Sequence, residues 1–122
     1  MKILIVEPHK HPRHADIPHS LEEMQRIVGG CIQATYPFDD PVAVVCDDEG
    51  KIKGYEMNRY IPNVDIIAGT FFICGLDAEN FADLPDNLAL KYEKYFYEPE
   101  AFVRAVNCIL VLRADGMLEV IR

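Results

Sequence analysis

Three features of the sequence predict an α+β fold: a mostly antiparallel sheet with an N-terminal helix and one or two C-terminal helices packed on it. A capped helical segment, Ser20–Gly30, stands among short apolar runs rich in β-branched residues. An acidic turn at Asp47–Gly50 and the Ala-Asp-Gly turn at 114–116 join neighbouring runs as hairpins, which makes their pairing antiparallel. A second amphipathic segment, Asp86–Phe96, comes after the most apolar run.

Residues 2–6 (KILIV) read as a strand buried on both faces. The next fourteen residues, EPHKHPRHADIPHS, hold three prolines and four histidines and read as a loop. Ser20 and Glu23 form a capping box, and Leu21, Met24, Ile27 and Val28 succeed them at helical spacing until Gly29 and Gly30 end the helix. So short a helix is held by packing its apolar stripe on a sheet. A strand near Cys31–Tyr36 stops at Pro37. Val42–Cys46 is a strong strand, and Lys51–Glu56 is expected to return antiparallel to it, leaving Asn58 and Arg59 in a loop. Ile66–Cys74 is the most apolar run and is expected to be central, with Gly69 marking a bulge or a close backbone approach. Ala78–Ala82 and Glu100–Val106 read as single helical turns on either side of the Asp86–Phe96 helix. Cys108–Leu112 and Met117–Ile121 form a terminal hairpin.

With 122 residues the chain fits one domain, 1–122, and its half-hydrophobic composition excludes a disordered tail. Lys and Arg number 12 against 20 Asp and Glu, a net charge of −8. No basic stripe is present, which argues against direct binding of nucleic acid. The acid excess lies after residue 20, in clusters at Asp39–Glu49 and Asp77–Glu100. It reads as a solvated surface or, more sharply, as a face that meets a basic protein, even by mimicking DNA. Cys31, Cys46, Cys74 and Cys108 form no CxxC pair and lie in apolar runs, so all four read as reduced, buried or half-buried residues. The N-terminal apolar run is too short for a signal peptide, and no run reaches the roughly 18 residues of a membrane span. The expected compartment is the cytoplasm.

Chemistry-bearing constellations are few. His9, His11, His14 and His19 fall within eleven residues, but their spacing matches no zinc signature and the loop is rich in proline. The only serine, Ser20, caps a helix, and Cys31 has no evident base beside it, so no nucleophile is assigned. Asp47 and Asp48 are adjacent on a turn, where tuned acid–base roles do not arise. The pair Asn58–Arg59 is more pointed, because an arginine fork on a rigid hairpin suits a carboxylate or phosphate. Gly69 and Thr70 could bring backbone amides and a hydroxyl to the same ligand. The competing reading is an arginine paired with a local acid and a glycine in a bulge.

The ordered string Val28–Gly30, Tyr36–Phe38, Glu49–Gly50, Asn58–Arg59 and Gly69–Phe71 resembles the bacterial and phage domain family DUF3846 over roughly residues 1–97. Two positions depart from the family pattern: Asp47 stands where an asparagine is expected, and GYEMNR where a leucine–proline pair is usual. The resemblance implies a setting on phages and conjugative elements, beside accessory and anti-restriction genes, and assigns no activity. With the size and charge, it yields the expectation of a non-enzymatic accessory protein that counters host defence by binding a host immune protein. The alternative is a sponge that sequesters a small nucleotide signal. Its pocket would be built from Asn58, Arg59, Gly69 and Thr70, with Tyr36, Phe38 and Tyr60 to stack a base. An enzyme, such as a metal-dependent phosphodiesterase or nuclease using the histidine loop, is the third reading. No catalytic residue, metal ligand or cofactor is assigned. The partners expected are thus a host defence protein or a small nucleotide, with no membrane, and a homo-oligomer is compatible with either.

Overall fold

The computed structural model describes residues 1–121. Its elements are β1 (Lys2–Val6), β2 (Arg13–Asp16), α1 (Leu21–Val28), β3 (Ile32–Thr35), β4 (Val42–Asp47), β5 (Met57–Ile61), β6 (Asp65–Ala68), β7 (Phe71–Asp77), β8 (Asn80–Ala82), α2 (Asp86–Tyr95), β9 (Ala101–Arg104), β10 (Ile109–Leu112) and β11 (Leu118–Ile121). The fold is mostly antiparallel sheet with two short helices, an α+β architecture. The main sheet runs β2-β1-β7-β4-β3, with β8 also paired to β7, and β7 is its central strand. A β5–β6 ribbon and a three-stranded β11-β10-β9 sheet complete the molecule.

Strand β4 (VAVVCD) is buried along its whole length because both faces of the main sheet are covered. Val42, Val44 and Cys46 join Leu88, Ala89, Tyr92 and Phe96 of the α2 segment, with Ile61 and Ile67 of the ribbon. Ala43 and Val45 join Met24 and Val28 of α1 with Phe72 and Cys74 of β7. The alternation of period two thus sends successive side chains into two cores.

Helix α1 begins where its cap predicts: the Glu23 amide donates to Ser20 Oγ at 3.2 Å. The reciprocal half of the capping box is absent, because the Glu23 carboxylate is held by Arg26 and the Ser20 amide donates to the Pro18 carbonyl. Gly29, at φ 96°, closes the helix.

Several expectations are corrected. The histidine-rich segment is not all loop: Arg13–Asp16 pairs with β1, and Pro12 and Pro18 lie outside the paired residues, where no ladder bond is lost. Lys51–Glu56 does not return along β4, because β3 and β7 already occupy both edges of that strand. The chain coils instead, with the Lys53, Gly54 and Tyr55 amides donating to the Glu49, Lys51 and Gly50 carbonyls. Ile66–Cys74 is two strands rather than one, divided at Gly69, so β6 pairs with β5 while β7 enters the main sheet. Residues 80–82 and 101–104 are strands, not helical turns. The terminal hairpin forms as expected and gains β9 as a third strand. Cys46 and Cys74 are buried and Cys108 is half-buried, but Cys31 is exposed. Burial raises the Cys74 thiol to about 12 and also pushes Cys46 upward, which keeps both protonated near neutral pH.

Candidate functional site

Asn58 and Arg59 do not leave the chain in a loop. They lie inside β5 at 0% and 1% exposure, the only polar side chains besides Asp47 among the buried residues described. Asn58 Nδ2 donates to the Val6 carbonyl at 2.8 Å and to the Gly69 carbonyl at 2.9 Å. Its Oδ1 accepts from Arg59 Nη1 at 2.8 Å. Arg59 Nη1 also donates to the Asn58 carbonyl, Nη2 to those of Lys10 and Phe96, and Nε again to Phe96. A guanidinium has five N–H donors, and this one makes five bonds to protein acceptors. Burial presses Arg59 downward from its ordinary value, with Glu100 and Glu98 opposing. The pair therefore ties the end of β1, the break before β7 and the last carbonyl of the α2 turn into one knot. Placing a cation against the carbonyl end of a helix adds favourable dipole energy.

In this conformation every Arg59 N–H hydrogen bond is made to a protein acceptor, and none is directed at an outside anion as the ligand-facing arrangement would have it. Of the companion residues, Gly69 meets the pair through its carbonyl, which Asn58 bonds, and the others do not build a pocket around it. Tyr36 is exposed. Phe38 packs at a tilt on Tyr92, 4.7 Å between ring centres, and lies edge-on to Tyr95 and Phe96. The Tyr60 amide donates to Glu100 Oε1 at 2.7 Å. Gly69 and Thr70 line a shallow open cavity with Pro8, Ile27, Val28, Gly29, Tyr55 and Glu56.

A second cluster explains the glycines that carry the family resemblance. The Tyr55 ring lies against Gly29, Gly50 and Gly69. A Cβ on Gly29 would stand 2.6 Å from the Tyr55 hydroxyl, and one on Gly69 2.6 Å from its ring. Tyr55 O–H donates to the Gly29 carbonyl at 3.2 Å. Beside it, Asp47 is 5% exposed; its Oδ1 accepts from the Glu49 amide and its Oδ2 from Lys53 Nζ, both at 2.8 Å. An asparagine at 47 could still accept from the Glu49 amide but not form the ion pair, so the aspartate makes a charge clamp on the turn. The sequence offers no sign of Tyr55's central place beyond an aromatic beside a glycine.

Burial alone would raise the Asp47 carboxyl, but Lys53, the Glu49 amide and Tyr55 outweigh it and hold it below the ordinary carboxylate value. A carboxyl depressed on folding contributes stability above its unfolded value, near ~3.9, and loses it as pH falls through the folded one. Chemical denaturation from about pH 6 to about pH 2 should show stability falling on the acid side of ~4. The Asp47→Asn variant should be less stable at pH 6 and show a shallower acid slope; an unchanged slope would remove Asp47 from this role.

The four histidines are dispersed. His9 Nε2 lies 2.9 Å from Glu56 Oε2 and His14 Nε2 3.2 Å from Glu93 Oε1. His11 stacks on Tyr97, its Nδ1 2.6 Å from the Tyr97 carbonyl. Among the described residues no three His, Cys, Asp or Glu side chains group around a common point.

The terminal sheet presents features that no sequence motif singled out. Its register places Val103 and Val120 on either side of Leu110, and Ala101 and Leu118 on either side of Leu112. These six side chains share one face and carry no charge. Val103, Leu112, Leu118 and Val120 are 45–58% exposed. The opposite face turns inward through Phe102 and the fully buried Val111, with Arg104 and Ile109 paired beside them. The period-two pattern in 101–104 and 109–112 was the available sign. Arg113 clamps this sheet from below, bonding Glu100 at 3.0 Å and Glu119 at 2.8 Å.

The family model described as "Domain of unknown function (DUF3846)" matches residues 1–97, and the chain belongs to that family. No curated protein and no solved structure matches the chain. The matched region ends one residue after Phe96, so it contains the Asn58–Arg59 knot and the Tyr55 cradle, while β9–β11 lie beyond it.

Proposed function

We propose that this protein is a non-catalytic accessory protein of a phage or mobile element, and that it counters host defence by binding a protein of the host immune system through its terminal sheet. The observation that carries this reading is the uncharged outer face of β9–β11, with four large aliphatic side chains about half exposed. Contiguous exposed apolar surface on a small soluble domain marks an interaction site. The mobile-element setting implied by the family resemblance supplies the class of partner.

Size and charge define what that partner presents. Three strands of four residues make a face roughly 10 Å by 13 Å, close to the ~10–12 Å diameter of one helix. A second copy of this chain would bring another −8 of charge to the contact, whereas a basic partner is drawn to it. The surface suits an amphipathic helix with lysine or arginine flanking its apolar stripe.

The test is purification of the tagged protein from host cells, beside a Leu112→Asp/Val120→Asp double variant. A host protein bearing such a helix should bind the wild type, and its affinity should fall at least about a hundredfold in the variant. An equal affinity for the variant sinks the reading. A wild-type dimer that the variant dissolves would assign the face to a second copy and overturn the partner proposed.

A further inference from the structure

Beneath the same sheet lies a partly open cavity of about 330 Å³, lined by the β5–β6 ribbon, the coil before it and the inner face of β9–β10. Tyr55 and Met57 form one wall, and Ile66, Ala68 and Ile109 give the remaining apolar lining. Lys51 and Arg104 stand at its polar side, and no acidic residue lines it. That composition runs against the chain, in which acids outnumber bases 20 to 12.

The state of Arg104 adds a second observation. Among the described residues it makes no hydrogen bond or ion pair through its side chain, while Arg13, Arg26 and Arg113 are each paired with glutamate and Arg59 is fully bonded to main-chain and Asn58 acceptors. Lys51 is held by Asp65 at 2.5 Å, outside the cavity lining. Arg104 is an exposed arginine with no acidic partner in an acidic protein, beside a partly open, mostly apolar cavity with a tyrosine in its wall; a few placed polar groups on a mostly apolar lining make the arrangement of a ligand site.

We propose that this cavity binds a small organic anion, a flat or aromatic ring bearing one carboxylate or phosphate. The ring lies against Tyr55 between Met57 and Ile109, and the anionic group takes the Arg104 fork with Lys51 as the second cation. Bidentate, charge-assisted bonds to arginine favour carboxylate and phosphate over neutral polar groups. The volume stands at the lower end of the ~300–1,000 Å³ range of ligand pockets, which selects one ring system with its head group and rejects larger oligomeric ligands. The site differs from that expected around Arg59 and Thr70, and it is separate from the outer sheet face of the proposed function.

Titration calorimetry with 1-naphthyl phosphate, 2-naphthoate, neutral 1-naphthol and inorganic phosphate tests it. The two aromatic anions should bind with Kd below about 1 mM, and whichever binds tighter identifies the head group. Arg104→Met should weaken both by about tenfold or more, Lys51→Met by less, and 1-naphthol should be indifferent to either change. Lys94→Met, on the far side of α2, is the charge control, and thermal melts verify that each variant folds. Affinity unchanged in Arg104→Met, or inorganic phosphate binding as tightly as the aromatic anions, overturns the proposal. So does the absence of binding by both anions at millimolar concentration. The Leu112→Asp/Val120→Asp variant should retain this binding, which keeps its failure distinguishable from failure of the docking face.

Discussion

Replacing Arg59 with methionine should lower the thermal midpoint by roughly 10–20 °C, although the apolar stem of the side chain is retained. Its removal strips the Phe96 carbonyl of two donors, the Lys10 carbonyl of one, and Asn58 of the bonds to its carbonyl and Oδ1. The Phe96 and Asn58 acceptors are buried, the Lys10 carbonyl is partly so, and Arg59 itself is 1% exposed. A buried acceptor left without a partner costs about 1–3 kcal/mol, and several at once bring the loss to about 3–5 kcal/mol. That is a large part of the roughly 5–15 kcal/mol of a domain's stability. Arg59→Lys should recover only part, because an ammonium cannot span the Phe96, Lys10 and Asn58 acceptors with one planar fork. A calorimetric midpoint within a degree or two of wild type would contradict the knot.

Gly69→Ala is expected to cost about 2–3 kcal/mol, read as a lower urea midpoint with little change in slope. Two effects combine there. The residue sits at φ 86°, a left-handed conformation that costs an alanine roughly 1 kcal/mol. The added methyl also meets the Tyr55 ring at 2.6 Å, inside contact distance. The two are separable in a double-mutant cycle with Tyr55→Ala. Removing the ring should abolish the steric part, so the double variant should be more stable than the sum of the singles by about 1 kcal/mol. Strict additivity would mean that Tyr55 does not fill the space between the glycines.

The legible parts of the fold are those whose signals are local. The α1 cap and its glycine stop, the β4 run and the terminal hairpin are written in contiguous residues, and they form within a residue or two of their expected bounds. Strand β2 was hidden because its four residues, RHAD, carry almost no apolar content and are ordered by an edge that only β1 supplies. The division of Ile66–Cys74 was legible as an interruption at Gly69, but not as a change of sheet, which depends on a tyrosine fourteen positions before it. The sequence places Arg59 in a loop, free to face an anion, and arginine is indeed seldom fully buried. What buries it are carbonyls at Lys10 and Phe96, 49 and 37 residues away, and no local pattern announces them. The terminal cavity is invisible for the same reason: Lys51 and Tyr55, in the coil before β5, meet Arg104 only once the β5–β6 ribbon and the terminal sheet have packed together.

The guanidinium's grip on the Phe96 carbonyl closes the body of residues 1–97 at its last residue but one, through acceptors at Lys10, Asn58 and Phe96 that all lie within it. Across the seam, the Tyr60 amide meeting Glu100 and the contacts of β5 with β9 are modest attachments. Perturbing the outer face of the terminal sheet, as in Leu112→Asp/Val120→Asp, therefore meets a body whose closure at Phe96 is made by residues within 1–97.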